Sequence, residues 1–102
     1  MTTDTLILLA NIFNEMINST DKIHIDKNAL HTLELRVRAE ASKYRKGWRV
    51  MPANLEMTFT EQEKEIILNS VDIVCNFFVE NEFHARTGFS KVEARTLVAL
   101  FK

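Results

Sequence analysis

Read as a helix, the twenty residues from Glu61 to Glu80 are apolar on almost every side. At ~100° per residue, Ile67, Val71, Val74 and Phe78 form a central stripe, flanked by Ile66, Ile73 and Phe77 on one side and by Leu68, Cys75 and Val79 on the other. What remains, Glu65, Asn69, Asp72, Asn76 and Glu80, is one narrow polar strip. By the same geometry the apolar arc exceeds roughly 200°. A helix of this kind has to be covered from several sides. It is therefore expected to be the hub of a core, or a homodimer seam if the chain's other helices cannot cover it. A covered strip would need its two asparagines hydrogen-bonded across an interface, which sets register.

The rest of the chain reads as helices. With two glycines and one proline, it lacks the turn chemistry that sandwiches and barrels need about every 8–12 residues. Leu6, Leu9, Ala10, Phe13, Met16 and Ile17 predict a first helix over about 4–18, and Asn18-Ser19-Thr20-Asp21 stops it by bonding its own backbone. Asp26 is placed to cap a second helix. There Leu30, Leu33, Val37, Ala41, Tyr44 and Trp48 share a stripe, and Gly47 follows the last turn near Lys46. Trp48 to Phe59 is the linker. Thr60-Glu61-Gln62-Glu63 and Ser90-Lys91-Val92-Glu93 are capping boxes opening the hub and the last helix, the second with Phe89 and Ala94 as a hydrophobic staple. Between them Phe83 to Arg86 is a short helical turn stopped by Gly88. The expected architecture is a single all-α domain over 1–102, with four main helices, one short turn and 61–80 at the centre.

Several function classes are disfavoured. A formal charge of −1 creates no global field that would recruit nucleic acid or an anionic membrane. The run Leu6 to Ala10 is too short for a membrane span and has no cation before it. One cysteine, Cys75, excludes an internal disulfide and suits a reducing, cytoplasmic setting. His24, His31 and His84 lack metal-ligand spacing, so no metal or cofactor is expected. No glycine-flanked serine or phosphate loop is present, and the carboxylates are dispersed, so the chain is not read as an enzyme.

Two surfaces remain. The second helix carries six cations between Arg36 and Arg49 with Glu40 the only acid among them. Arg38, Arg45 and Arg49 lie along one edge of its apolar stripe, and Tyr44 and Trp48 offer aromatic surface at its end. Arg38, Tyr44, Arg45, Trp48 and Arg49 are thus the candidate partner-binding set. Against this, Glu34 is spaced to pair with Arg38, and basic stems commonly cover a core's margin.

The segment FHARTGFSKVEARTLV, Phe83 to Val98, resembles the turn and second helix of helix-turn-helix DNA-binding proteins. Gly88 stands at the tight turn, Phe89, Ala94 and Leu97 at the apolar positions, and Ser90 caps the would-be recognition helix. The resemblance implies that Ser90, Lys91, Val92, Arg95 and Thr96 meet nucleic acid. His84 departs from the small residue usual at its position, and Glu93 adds an anion on the groove side. By elimination, the leading expectation is a non-catalytic helical protein that binds another protein as an adaptor, inhibitor or regulator. A DNA-binding regulator using 83–101 is the alternative.

Overall fold

The computed structural model describes residues 1–19, 27–45 and 57–102. It is all-α, and among the described residues there is no strand. The helices are α1 (Thr3–Ser19), α2 (Lys27–Arg45), α3 (Glu61–Phe77), α4 (Glu80–Thr87) and α5 (Lys91–Val98), the last followed by a 3-10 turn over Ala99–Phe101. The expected cap at Asp26, the stop at Gly47 and most of the linker lie outside the described residues.

As its periodicity requires, α3 packs against all four other helices, and α1 does the same. Leu6, Leu8, Leu9, Ile12, Phe13 and Met16 of α1 are all buried, whereas Ile17, expected on the same stripe, is 42% exposed. On α3 the central stripe of Ile67, Val71, Val74 and Phe78 is buried, with Ile66 and Cys75 beside it. The polar strip Glu65, Asn69, Asp72, Asn76 and Glu80 is exposed, so the two asparagines face outward. Leu30, Leu33, Val37 and Ala41 turn the α2 stripe inward.

The α3 helix ends three residues before the expected boundary. Phe78 is extended (φ −104°, ψ 145°), and Glu80, expected as the last member of the polar strip, is the first residue of α4. Phe77-Phe78-Val79 contains no glycine or proline to announce a stop, yet aromatic and β-branched residues are mediocre helix formers that tertiary packing readily overrides. The break lets Phe78 drop into the core, where the Arg86 guanidinium sits 4.6 Å from its ring centroid. Phe77 and Val79 are turned out instead, 58% and 72% exposed.

Both capping boxes form. The Thr60 hydroxyl accepts from the Glu63 N–H (3.1 Å) while Glu63 accepts from the Thr60 N–H (2.9 Å), and Ser90 and Glu93 repeat the exchange at 3.1 and 3.0 Å. Gly88 closes α4 in the left-handed region at φ 81°, its N–H bonded to the His84 carbonyl, a conformation that suits glycine.

Polar clamps join the helices. Arg36 of α2 pairs with Glu63, donates to the Thr58 carbonyl (2.8 Å) and lies over the Phe59 ring, while Phe59 meets Phe101 edge-on at 5.5 Å. Arg86 of α4 bonds Glu82 at 2.6 Å and Glu15 of α1 at 3.1 Å. Buried Thr87 donates to the Phe83 carbonyl, and its own carbonyl accepts from Asn11 of α1 at 3.0 Å.

Ser70 departs from this economy, as does one carboxylate oxygen of buried Glu34. Ser70 is fully buried on the inner face of α3, and its hydroxyl has no hydrogen-bond partner among the described residues. An unpaired buried hydroxyl costs about 1–3 kcal/mol, and alanine is also the better helix former. Ser70→Ala is therefore expected to raise stability by about 1 kcal/mol in urea unfolding. A loss of similar size would show that the hydroxyl has a partner.

Candidate macromolecular interface

The site begins with α5, a short helix with two contrasting sides. Ala94, Val98 and Phe101 are buried. On the opposite side Val92, Thr96, Ala99 and Leu100 are all exposed, Val92 at 75% and Leu100 at 55%. This outward face carries no charge. Its edges do, and both edges are held by the chain itself. Arg95 pairs with Asp72 of α3, a bond that raises the guanidinium's already high pKa. On the other edge Glu93 folds back onto Ser90.

The Glu80 carboxylate accepts the Lys91 N–H at 3.1 Å, tying the start of α5 to the start of α4. Val79, immediately before Glu80, and Val92, immediately after Lys91, therefore stand at one corner of the fold. Phe77 lies just upstream at the end of α3. Exposed apolar side chains gathered this way, rather than scattered singly, mark interaction surfaces.

Of the residues singled out for nucleic acid, Ser90 is occupied as the N-cap and Lys91 gives its backbone N–H to Glu80. Val92 and Thr96 are on the open face, the Thr96 hydroxyl donating to the Val92 carbonyl at 2.9 Å, and Arg95 is on its edge. His84 is exposed, and its charge helps to stabilise ionised Glu93. Of the partner-binding set, Arg38 is exposed and pairs with Glu34, as their spacing suggests. Tyr44 and Arg45 belong to the last turn of α2, and Trp48 and Arg49 lie outside the described residues. The structure does not bring the two sets together in any bond or ion pair among the described residues.

Residues missed by the sequence reading are Phe77, Val79, Ala99 and Leu100. The first two were absorbed into the hub by assuming an unbroken helix. The others do have a signal, since Val92, Thr96, Ala99 and Leu100 recur at helical spacing, but it is overprinted on the inward stripe of the same segment.

Burial pushes the Cys75 thiol above its ordinary range, partly opposed by the charges of Arg95 and Lys91, so it stays protonated and poorly nucleophilic at neutral pH. Among the described residues no three potential ligands cluster to hold a metal, and no helix is long and apolar enough to cross a membrane.

The capping carboxylates give the fold a pH dependence. Bonds from the Ser90 backbone and hydroxyl group pull Glu93 below its ordinary value of 4.5. For Glu63, partial burial pushes up, but the Thr60 N–H and Arg36 together outweigh it and leave its pKa lowered. Depressed carboxyl groups contribute stability that is present above the unfolded value and is lost as pH falls through the folded one. Unfolding midpoints are thus expected to drop as pH falls below the ordinary glutamate value of 4.5. Glutamine keeps the capping geometry without the charge, so Glu63→Gln with Glu93→Gln should flatten the drop. An unchanged acid limb would assign it to other carboxylates.

Comparison with known proteins finds no matching family model and no significant match among curated proteins or solved structures.

Proposed function

We propose that this chain is a non-catalytic helical protein that works by binding another protein, as an adaptor, inhibitor or regulator, and that the outward face of α5 is the centre of the contact. The observation that carries this reading is the exposure of Val92 and Leu100 on the outward side of α5 and the turn that follows it, and of Phe77 and Val79 before the start of α4. Interface centres are depleted in charge and framed by polar rims. Here the central stripe is uncharged and the rim consists of Arg95, Asp72 and Glu93. The candidate set Arg38, Tyr44, Arg45, Trp48 and Arg49, read from the sequence, is a second zone for the same or another partner.

Photo-crosslinking in the cells that make the protein tests this reading. A photoreactive residue at Val92 or Leu100 is expected to trap one and the same protein, and a residue at exposed Glu65 none. Adducts formed from Glu65 as readily as from α5, or none from α5, would overturn it.

One observation favours a second reading. Eight residues of α4, three residues at Gly88-Phe89-Ser90 with the glycine left-handed, and the capped α5 reproduce the layout of a helix-turn-helix. If α5 enters a major groove, Arg95→Ala should weaken binding to a preferred sequence. Arg45→Ala should weaken binding to all duplexes and lower the salt slope by about one. Fluorescence anisotropy of a labelled duplex with protein up to ~50 μM covers the non-specific range. Affinity unchanged by both substitutions removes this reading.

A further inference from the structure

The joint between α3 and α4 lacks the local chemistry that marks the neighbouring helix ends. α3 and α5 open on capping boxes and α4 closes on a left-handed glycine, but α4 starts at Val79 with no side-chain capping bond among the described residues. On the other side of the break, α3 ends on extended Phe78 with neither a glycine nor a cation in its last turn. Valine is among the poorest N-caps. What holds the break is the packing of α4 on α1. Phe83 and Thr87 have no exposed surface, the Thr87 carbonyl accepts from the Asn11 amide, and Arg86 bonds Glu15.

A helix running on through Phe78 and Val79 removes α4 from this place. At ~100° per residue, Phe83 and Thr87 then fall in line with Asn69, Asp72 and Asn76, the strip that α3 turns to solvent. The vacated surface on α1 fits the α4 of a second copy, because the same side chains make the same contacts whichever chain supplies them. We infer that the chain forms a homodimer by exchanging residues 80–102, with α3 and α4 joined as one helix and α4 and α5 of each copy packed on α1 and α3 of the other. The dimer gains only at the hinge. There the uncapped helix start disappears, and Phe77 and Val79, 58% and 72% exposed in the monomer, lie where the two long helices cross. It loses the tether, which for short linkers corresponds to an effective concentration on the order of mM. The monomer therefore prevails in dilute solution and the exchanged dimer in concentrated solution. Val92 and Leu100 are not used in the exchange, so protein binding by the outward face of α5 is independent of it.

The test is sedimentation velocity of the full chain refolded at ~1 mM, with isotope-filtered NOE spectra of dimers made from labelled and unlabelled copies. The expected dimer shows intermolecular NOEs between Phe83 and side chains of α1. Val79→Asp gives α4 the cap it lacks. One cap is worth about a factor of five and the dimer has two hinges, so its dissociation constant should rise about 25-fold. Val79→Ala, a better helix former that supplies no cap, should lower it. Both changes are at an exposed position, and a thermal melt establishes that each variant is folded. Parent and Val79→Ala chains that both stay monomeric, intermolecular NOEs confined to the outward side of α5, or a dissociation constant unmoved by Val79→Asp would each overturn the exchange.

Discussion

Truncating Phe13 to alanine is expected to cost the fold about 3–5 kcal/mol, the usual loss for a fully buried phenylalanine. Phe13 has no exposed surface and lies in the middle of α1, the helix that touches α2, α3, α4 and α5 alike. A cavity there loosens several helix contacts at once. Domains of this size have a total stability on the order of 5–15 kcal/mol, so the variant should be marginal at room temperature. Its urea midpoint, followed by far-ultraviolet circular dichroism, should fall to a large fraction below that of the parent. Ile17→Ala, one turn further along at an exposed position, should change stability by no more than about 0.5 kcal/mol. A Phe13→Ala loss as small as the Ile17 control would mean that α1 is not embedded in the core.

This outcome bears on what the sequence could reveal. The hub was legible in Ile67, Val71, Val74 and Phe78 because a wide apolar arc has one structural solution, coverage by neighbours. The two capping boxes were legible because their residues act locally, within one turn of helix. The end of α3 was not. Nothing in Phe77-Phe78-Val79 breaks a helix by itself, and the chain turns there to bring Phe78 under Arg86, a tertiary contact with no local signature. Arg36 was likewise read only as a basic margin of α2, since its partners Thr58 and Glu63 are more than twenty residues away.

The site was less legible than the fold for the same reason. The inward stripe of Ala94, Val98 and Phe101 is legible from its spacing and is buried; the apolar character of the opposite side, Val92, Ala99 and Leu100, is hidden beneath that stronger pattern. Arg95, singled out as a groove-reading cation, proves to be paired with Asp72, a residue assigned on sequence grounds simply to the polar strip of another helix.

The largest expected effect on function follows from the outward side of α5. Replacing Val92 and Leu100 together by glutamate should reduce partner affinity by about 30-fold or more, the scale of losing an interface hot spot of 2 kcal/mol. The fold should be spared. Both positions are exposed, glutamate is a better helix former than valine, and an anion in the first turn of α5 is favoured by the helix dipole. Thermal unfolding of the double variant should therefore match the parent within about 0.5 kcal/mol, with binding measured by calorimetry against the crosslinked partner once purified. Retained affinity would remove the α5 face from the contact, and a destabilised fold would show that Val92 or Leu100 helps to pack the core.

The most direct measurement is an amide NMR titration of the isotope-labelled chain with that purified partner. If α5 is the docking element, the perturbed amides should centre on Val92, Thr96, Ala99 and Leu100 and extend to Phe77 and Val79 across the corner, leaving Glu65 and Asn69 unmoved. Perturbations confined to α2, with α5 silent, would contradict it and transfer the binding surface to the basic helix.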